Sequence, residues 1–272
     1  MINLNGEIVQ KTEEVLNFDN RAFKYGDALF ETIKFKDSKI YFFEDHYFRL
    51  MASMRMLRME IPMDFTMEFI EDEISRTVKA NNLDAARVRL TVFRKNGGLY
   101  NPKTNKIDYL IEVSPFSSLV KDFYKVDIYK DFYIFSGLLS TIKTTNKITN
   151  VLASIYASEN DFDNCILLNE KKYVVEAING NIFMVKGSTI KTPAITEGCV
   201  KGIIRKKLIE ILSKNVNYTI EETEISPFEL QKADEVFITN TIVGIQPITS
   251  YKKSNFKTKV AEELAEELRK LV

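Results

Sequence analysis

The sequence predicts an α/β or α+β protein, because strand-like and helix-like segments alternate along its 272 residues. Hydrophobic residues make up 45% of the chain and charged residues 28%, which is typical of a globular protein rather than a disordered or collagen-like one. We find no repeat, low-complexity tract or long Gly/Ser linker. A proline and three serines separate two strand-like runs at 114–121. We therefore expect two domains, an N-terminal one over residues 1–116 and a C-terminal one over residues 117–272.

The N-terminal part combines strands and helices. Residues 29–43 predict two short strands around a turn at Asp37-Ser38, and further strand-like runs occupy 86–94 and 107–114. Between them, apolar residues recur at helical spacing in two segments. The helical positions are Tyr47, Leu50, Met51, Met54 and Leu57 in the first segment, and Phe65, Phe69, Ile70, Ile74 and Val78 in the second.

The C-terminal part repeats this mixture. Strands are predicted at 125–136, near 164–169, 172–176 and 181–185, and at 234–239. Three helices are predicted as well. Their apolar positions are Ile148, Val151, Leu152, Ile155 and Tyr156; then Ile203, Ile204, Leu208, Ile211 and Leu212 within about 200–214; and finally Phe256, Val260, Leu264 and Leu268.

Charge, hydropathy and cysteine content exclude several classes of protein. Lys plus Arg and Asp plus Glu both number 38, so the chain lacks the positive excess of a protein that coats nucleic acid. No apolar run approaches the roughly 18 residues of a membrane-spanning helix. The first residues do not resemble a signal peptide, and two cysteines are too few for a disulfide framework. We therefore expect a cytoplasmic protein without a nucleic-acid or membrane partner.

The histidine count limits the chemistry further. His46 is the one histidine in the chain, so a zinc site built on paired histidines and the HExxH pattern are excluded within one chain, and no metal site is expected. A serine or cysteine nucleophile would have only His46 as its base. An enzyme of this composition is expected to use lysine, carboxylates or a bound cofactor.

Four local features are candidates for chemistry, and each has a simpler explanation. Two glycines precede the helix in 197–205, which is typical of an anion site at a helix N-terminus but also of an ordinary turn. Lys143 lies between a strand-like run and a helix, where a desolvated amine forms Schiff bases, although most lysines are simply exposed. Glu176 ends a strand, and Arg49 lies on a helix; a solvated carboxylate and a surface arginine are the alternatives.

Together these features match the needs of one cofactor. Pyridoxal phosphate (PLP) has an aldehyde that reacts with a lysine, a ring nitrogen that a carboxylate keeps protonated, and a phosphate that arginine and a helix N-terminus bind.

The same segments resemble class IV aminotransferases, the fold-type IV PLP enzymes. The similarity extends in family order over most of the chain. The matching segments are Tyr25-Gly-Asp-Ala-Leu-Phe-Glu-Thr32, His46-Tyr-Phe-Arg-Leu50, Lys143-Thr-Thr-Asn146, Val175-Glu176, Asn181-Ile-Phe183, Gly202-Ile-Ile-Arg205 and Ala233-Asp-Glu-Val-Phe-Ile-Thr-Asn-Thr241. The resemblance implies two α/β domains with the cofactor between them, and a homodimer.

The resemblance also implies a role for each matching residue. Lys143 corresponds to the lysine that links to PLP and moves the proton at the substrate carbon. Glu176 corresponds to the carboxylate that faces the pyridine nitrogen, and Arg49 to the arginine that binds the phosphate. The backbone N–H groups of Ile203 and Ile204, and the loop at Asn240 and Thr241, are the other expected phosphate contacts.

Differences from the motifs of each subfamily narrow the choice among the reactions of the family. The branched-chain enzymes commonly have glycine where this chain has Thr32, and tyrosine where it has Ile148. The D-amino-acid enzymes hold the substrate carboxylate with an arginine and a histidine, whose equivalents here are Leu99 and Asn101. The aminodeoxychorismate lyases resemble this chain at Thr32, at 239–241 and in a basic residue at Lys147.

The sequence therefore favours a lyase that converts 4-amino-4-deoxychorismate into 4-aminobenzoate and pyruvate, with Lys143 and Thr32 as catalytic residues. Substrate contacts are expected from Tyr25, Phe30, Arg94 and Lys147, because a substrate with two carboxylates needs cationic partners. Two alternatives remain. One is an aminotransferase that acts on branched-chain or D-amino acids with 2-oxoglutarate, and the other is a non-catalytic relative.

Overall fold

The chain folds into two compact units in a computed structural model that describes residues 1–12, 16–116 and 119–272. Unit 1 comprises Met1–Ser117 and Lys143–Asn146, and unit 2 comprises Ser118–Ile142 and Lys147–Val272. Residue 117, where the sequence places a domain boundary, lies outside the described residues, and that boundary stays a prediction. The two compact units differ from the predicted domains at Lys143–Asn146, because these residues pair with a strand of unit 1.

Unit 1 is an antiparallel sheet with helices. Its elements are β1 (Ile2–Leu4), β2 (Glu7–Val9), α1 (Arg21–Tyr25), β3 (Ala28–Lys36), β4 (Lys39–Ile40), α2 (Phe43–Met56), α3 (Met67–Ala80), β5 (Ala85–Arg94) and β6 (Ile107–Pro115). In the described residues the strand order is β2-β1-β6-β5-β3-β4. The predicted strands and both predicted helices are confirmed, and Asp37 and Ser38 both have the positive φ of a tight hairpin turn. The sequence did not predict β1, β2 or α1.

The two faces of this sheet differ in their surroundings. Leu29, Glu31 and Ile33 of β3 share one face with their cross-strand partners Val92, Leu90 and Val88, and all six are buried. Helix α2 packs against β3, and α3 packs against β1 and β6. Residues of opposite parity, such as Thr32, Arg89 and Thr91, are only half-buried. Because successive side chains of a strand alternate between faces, each residue of β3 belongs to either the covered or the half-open face.

Residues 143–145 lengthen this sheet along the start of β3. Leu29 and Thr144 form an antiparallel bridge. The N–H of Phe30 donates to the Lys143 carbonyl at 2.9 Å, and the N–H of Thr145 donates to the Ala28 carbonyl at 3.1 Å. The Asn146 side chain donates to the Gly26 carbonyl at 3.0 Å. A side chain at Gly26 would place its Cβ 2.2 Å from Oδ1 of Asn146, so this close approach requires glycine.

Unit 2 contains two sheets with helices. Its elements are β7 (Lys125–Ile128), α4 (Ile148–Glu159), β8 (Asn164–Leu168), β9 (Val174–Ala177), β10 (Asn181–Lys186), β11 (Thr189–Pro193), α5 (Ile203–Leu212), β12 (Thr219–Thr223), α6 (Pro227–Gln231), β13 (Glu235–Asn240), β14 (Gly244–Ile248), β15 (Ser250–Tyr251), β16 (Ser254–Asn255) and α7 (Lys259–Arg269). In the described residues the strand orders are β12-β11-β10-β13-β14 and β16-β15-β7-β8-β9. A continuous core of apolar residues from both sheets, including Ile166, Ile182, Ile238 and Tyr251, holds this unit together.

Several predictions for unit 2 need correction. The predicted strand 125–136 ends at Ile128, and the rest is irregular. Helix α4 forms as predicted, but its apolar residues Ile148 and Val151 are exposed, while the small residues Ala153 and Ala157 are buried. Apolar periodicity predicts the helix, but it does not indicate which side of the helix is buried. The sequence did not predict β11, β12, α6 or β14 to β16. Within the described ranges, every helix is too short or too polar to cross a membrane.

We predict that Gly26→Ala destabilises unit 1 more than Gly187→Ala does. Both glycines have positive φ, +63° and +58°, so alanine costs each roughly 1 kcal/mol of backbone strain. Only at Gly26 must the added Cβ displace a neighbour, since nothing lies within 4 Å of the Cβ position at Gly187. Urea unfolding of the two variants measures the difference, and equal destabilisation would contradict the close-approach argument.

Candidate active site

Lys143 lies on the half-open face of unit 1. It is paired with Phe30, because the bridge between Leu29 and Thr144 sets the register by one residue. Paired residues point to the same face of a sheet, and Nζ of Lys143 lies 4.5 Å from the centre of the Phe30 ring. Thr32 occupies the same face two residues further along β3 and is half-buried. Unit 1 therefore places the two predicted catalytic residues, Lys143 and Thr32, on one face of its sheet.

Arg49 belongs to a buried cluster on the covered side of β3. Its Nε donates to Glu31 Oε1 at 2.8 Å, and its Nη2 donates to Glu31 Oε2. Nδ1 of His46 contacts the same oxygen at 2.7 Å. Burial by itself raises the pKa of a carboxyl group, but the charge of Arg49 and the hydrogen bond with His46 outweigh it, so the pKa of Glu31 falls to about 2. Glu31 is therefore ionised and holds the Arg49 guanidinium by two charge-assisted hydrogen bonds.

His46 is neutral in this cluster. Burial lowers its pKa below 6.5, and the charges of Arg49 and Lys143 act in the same direction, against the opposing effect of Glu31. An ionised carboxylate has no proton to donate, so Nδ1 carries the proton and Nε2 is left as an acceptor. That Nε2 is buried and finds no hydrogen-bond partner among the described residues. A buried acceptor without a donor is uncommon and indicates that the cluster is completed by another group.

Glu176 is buried on β9 of unit 2, although a solvated strand end was the simpler expectation. Its side chain is 6% exposed, and Oε2 accepts a hydrogen bond from the Val200 N–H at 2.9 Å. The carbonyl of Val200 accepts from the Asn181 side chain at 2.9 Å. Val200 is thus held at both its N–H and its C=O, which fixes the segment that leads into α5.

Helix α5 begins with donors that no side chain caps. Its N-cap residue is Gly202, which has no side chain to accept from the first N–H groups, and Ile203 and Ile204 are the first two helical residues. A Cβ at Gly202 would lie 1.9 Å from Oδ1 of Asn181, so the packing itself requires glycine here. The N-terminus of this ten-residue helix has the donors and the positive dipole end that suit a phosphate.

The loop at Asn240 and Thr241 lies at the end of β13 and is shaped by its first residue. Oδ1 of Asn240 accepts from the N–H groups of Ile242 and Val243 at 3.0 and 2.9 Å. β10 pairs with β13 so that Asn181 faces Thr239. The buried hydroxyl of Thr239 has no hydrogen-bond partner in the part of the chain that the structure describes. Unit 2 therefore places Glu176, the start of α5 and this loop around Asn181.

The other three predicted substrate residues have the following surroundings. Arg94 is 6% exposed, and its guanidinium donates to the Asp27 carboxylate, the Leu57 carbonyl and the Asn105 side chain. Its role as a substrate cation stays a prediction, and these protein acceptors already engage it. Tyr25 is half-buried and packs at 5.7 Å from the Tyr100 ring. Lys147 is the N-cap residue of α4 in unit 2, whereas Lys143 belongs to unit 1.

Sequence reasoning missed three residues that organise these clusters. Glu31 orients Arg49, Asn181 fixes the segment before α5, and Arg89 lies across the sheet from Thr32. The alternation in 86–94 does place Arg89 and Thr91 on one face, but it does not say which face is half-open. Glu31 and Asn181 carry no spacing signal, because their partners are 18 and 19 residues away.

The two cysteines and the metal-binding residue types do not form a second candidate site within the described residues. Burial raises the pKa of Cys165 and of Cys199 to about 12, so both remain thiols. Within the described ranges, no three His, Cys, Asp or Glu residues are grouped as a metal site would need.

The residues present fit PLP. Unit 1 provides a lysine amine beside an aromatic ring, an oriented arginine, and an unpartnered buried acceptor on His46. Unit 2 provides a buried carboxylate, an uncapped helix N-terminus and an unpartnered hydroxyl on Thr239. These groups have the chemistry that the aldehyde, ring nitrogen and phosphate of PLP require.

We predict that His46 stays neutral, with its proton on Nδ1, and titrates below pH 6.5. The unfolded chain then binds a proton that the folded chain does not, so this group's contribution to stability is full above pH 6.5 and is lost as the pH falls through the folded pKa. Nitrogen-15 NMR of protein labelled at histidine reports one imidazole, because the chain has one histidine. Urea-unfolded protein is the control, and a folded-state midpoint at or above the unfolded one would refute the prediction.

The chain matches known proteins over nearly its whole length. The family model described as amino-transferase class IV matches residues 28–251. A protein of Methanocaldococcus jannaschii assigned as a branched-chain-amino-acid aminotransferase is 30% identical over 98% of this chain and 93% of its own. A D-alanine aminotransferase of Listeria monocytogenes is 26% identical, over 90% and 86% of the two chains. An aminodeoxychorismate lyase of Vibrio harveyi is 25% identical, over 85% of each.

Solved structures show the same fold. The branched-chain aminotransferase of Thermoproteus uzoniensis with norvaline superposes with a TM-score of 0.89 at 23% identity, over 99% of this chain and 93% of that one. A protein of Legionella pneumophila assigned as 4-amino-4-deoxychorismate lyase gives 0.87 at 22% identity, over 96% of each chain. The branched-chain aminotransferase of Thermobaculum terrenum in its PLP form gives 0.85 at 23% identity, over 99% and 92%. The fold, the enzyme class and the PLP cofactor expected from the sequence are confirmed at the level of the family. The chain belongs to the class IV aminotransferase family.

Proposed function

We propose that this enzyme is a PLP-dependent lyase that converts 4-amino-4-deoxychorismate into 4-aminobenzoate and pyruvate, a reaction of folate synthesis. The observation that carries the proposal is the position of Thr32. Its side chain lies on the same half-open face as Lys143, two residues along β3 from Phe30, whose ring centre is 4.5 Å from Nζ of Lys143. A proton donor and a proton acceptor on one face suit a reaction that removes one proton and adds another.

The binding residues have separate tasks. The Arg49 guanidinium, oriented by Glu31, and the N–H groups of Ile203 and Ile204 bind the phosphate. Asn240 and Thr241 form a further phosphate-binding loop. The Glu176 carboxylate keeps the proton on the pyridine nitrogen by charge attraction. When bound, PLP supplies an aldehyde that links to amines and a protonated ring that withdraws electrons from the bond to be broken.

The catalytic residues move protons. Nζ of Lys143 removes the proton from the ring carbon that carries the substrate amine, and the ring becomes aromatic as the enolpyruvyl group leaves. The Thr32 hydroxyl delivers a proton to the methylene carbon of that leaving group. Phe30 packs against Lys143 and keeps water from the amine on that side.

An aminotransferase is the second candidate, and the relatives favour it. Proteins named as branched-chain and D-alanine aminotransferases are among the most similar relatives, including the one at 30% identity. The substrates would be branched-chain or D-amino acids with 2-oxoglutarate. The loop that holds the substrate carboxylate in the D-amino-acid enzymes has Leu99 and Asn101 here, and Leu99 is exposed. This departure supports the lyase over D-amino-acid transfer. For either reaction we also propose a homodimer and a cytoplasmic location.

We predict that PLP is bound covalently through Lys143. The purified protein is expected to be yellow, and borohydride reduction followed by peptide mass spectrometry is expected to place the modification on Lys143. Lys143→Ala should lose both the covalent link and all activity, because the same amine binds the aldehyde and moves the proton. Lys147→Ala, four residues away, is the matched control and should retain the link. Modification of another lysine would contradict the assignment.

We predict that the enzyme releases 4-aminobenzoate from 4-amino-4-deoxychorismate, and that Thr32→Val slows this release at least about tenfold, since valine keeps the shape of threonine but donates no proton. The assay follows 4-aminobenzoate by chromatography, and parallel reactions offer branched-chain and D-amino acids with 2-oxoglutarate. Turnover of the amino acids alone would reject the lyase and support the aminotransferase. Absence of turnover with every substrate, in a protein that binds PLP, would support the non-catalytic alternative.

A further inference from the structure

Arg21, the first residue of helix α1, is buried although it contacts a surface loop. Its side chain is only 4% exposed. A guanidinium is always charged and has five N–H donors, so its burial is tolerated only where acceptors surround it. The acceptors of Arg21 come from one carboxylate and from the loop 97–100, which follows β5.

Four successive carbonyl groups of this loop point at the guanidinium. Nη1 of Arg21 donates to the carbonyls of Gly97, Gly98 and Leu99 at 3.2, 3.4 and 2.6 Å, and Nη2 donates to that of Tyr100 at 3.5 Å. Gly97 and Gly98 both have positive φ, +108° and +79°, a conformation that glycine adopts without strain. The shape of the loop and the position of the arginine therefore depend on each other.

Side-chain packing contributes little to holding the loop in place. Leu99 and Tyr100 are 77% and 89% exposed, and exposed loops of this kind are usually mobile. Within the loop, the N–H of Lys103 donates to the Gly97 carbonyl at 3.4 Å, which is a long hydrogen bond. The contacts with Arg21 are therefore the main restraint on the backbone of residues 97–100.

Asp27 anchors Arg21 to the sheet of unit 1. Its Oδ2 accepts from Nε of Arg21 at 2.8 Å and from Nε of Arg94, at the end of β5, at 3.0 Å. The carbonyl of the preceding residue, Gly26, accepts from the side chain of Asn146 at 3.0 Å, three residues after the proposed catalytic lysine. The ion pair therefore holds Arg21 against the same backbone that the segment of this lysine contacts.

The guanidinium also lies against the ring of Tyr25, an expected substrate contact. Cζ of Arg21 is 4.9 Å from the centre of this ring. The centre of the Tyr100 ring is 5.7 Å from the same point. A cation and a second ring each favour particular orientations of an aromatic side chain. Arg21 thus restrains Tyr25 directly and, through the loop, by way of Tyr100.

We propose that Arg21 is a positioning residue for substrate binding, because its guanidinium fixes the ring of Tyr25 and the loop 97–100 in one arrangement. This inference rests on the proposed function, in which Tyr25 is an expected substrate contact. Arg21 acts through these groups, since its own donors are engaged by the protein. An arrangement that is fixed before the substrate binds reduces the entropy lost on binding. Loss of Arg21 should therefore weaken binding and leave the chemical step unchanged.

Steady-state kinetics of the holoenzyme separate binding from chemistry. With the substrate that the native enzyme turns over, we expect Arg21→Lys to raise KM about tenfold, with kcat and the yield of borohydride-fixed cofactor on Lys143 unchanged. Lysine keeps the charge but lacks the planar set of donors that reaches both Asp27 and the loop. Arg21→Ala should raise KM further. Loss of a residue that only stabilises the fold would instead reduce the amount of active enzyme and leave KM native.

Guanidinium ion should restore the KM of Arg21→Ala towards the native value, because it has the charge and planar donors of the missing side chain. Guanidinium chloride, well below denaturing concentrations, is compared with methylammonium chloride at the same ionic strength, which should not restore KM. Arg55→Ala is the matched control, since Arg55 lies in the last turn of α2 in the same unit and is exposed. This control should have the native KM and no response to guanidinium.

A second substitution tests whether Arg21 acts through the loop. A Cβ at Gly98 would lie 2.2 Å from the Asn101 carbonyl oxygen, so Gly98→Ala should displace the loop and raise KM. The double variant with Arg21→Ala should be no worse than the more affected single variant, because both substitutions remove one arrangement. Effects on KM that multiply would overturn the proposal.

A native KM in Arg21→Ala, or a raised KM that guanidinium does not lower, would also overturn the proposal. If Arg21→Ala does not fold, Arg21→Lys carries the test, and a native KM in that variant overturns it. If the native enzyme turns over amino acids and not 4-amino-4-deoxychorismate, the lyase is rejected. A raised KM for the amino acid in Arg21→Lys would still support the role of Arg21.

Hydrogen exchange tests the inference without turnover. The amides of residues 97–101, followed by mass spectrometry of the peptide that contains them, should exchange faster in Arg21→Lys than in native protein, and Arg55→Ala should match the native rate. If the native protein turns over no substrate, the proposed function fails and this measurement decides the inference. Faster exchange supports the arrangement held by Arg21, and native exchange overturns it.

Discussion

The antiparallel pairing of residues 143–145 with the start of β3 is the constraint on which the candidate site of unit 1 depends. Two backbone hydrogen bonds, from Phe30 to Lys143 and from Thr145 to Ala28, set its register. A shift by one residue would turn the lysine to the other face of the sheet. The Gly26 carbonyl accepts the Asn146 side chain only because Gly26 has no Cβ. The face of the sheet on which Lys143 lies is therefore set by the backbone.

Strand β3 uses its two faces for different tasks. Glu31 faces the helices, where its ionised carboxylate holds Arg49 and contacts His46. Phe30 and Thr32 face the half-open side with Lys143 and Arg89. One short motif, Phe30-Glu31-Thr32, thus supplies both the support for the arginine proposed to bind phosphate and the surface proposed to meet the substrate. The period of two along a strand makes this separation possible.

In unit 2, hydrogen bonds to one residue, Val200, hold the segment that precedes α5. Glu176 accepts from the N–H of Val200, and Asn181 donates to its carbonyl. The carboxylate proposed to face the pyridine ring therefore also fixes the approach to α5, whose first N–H groups are proposed to bind phosphate. A substitution of Glu176 would remove the hydrogen bond that holds Val200 as well as the carboxylate proposed to face the ring.

The sequence by itself determined the fold class, most long strands and helices, the family, and the residues Lys143, Arg49 and Glu176 as candidates, because periodicity and ordered motifs are local features of the chain. Only the tertiary structure decided which cations are engaged. Arg94 and Arg89 lie five residues apart on β5 and therefore face opposite sides of the sheet: one is buried among protein acceptors and the other is half-open beside Phe30. The partners of Glu31 and Asn181 likewise come from distant segments, and no local pattern encodes contacts that form only when the sheet and its helices pack.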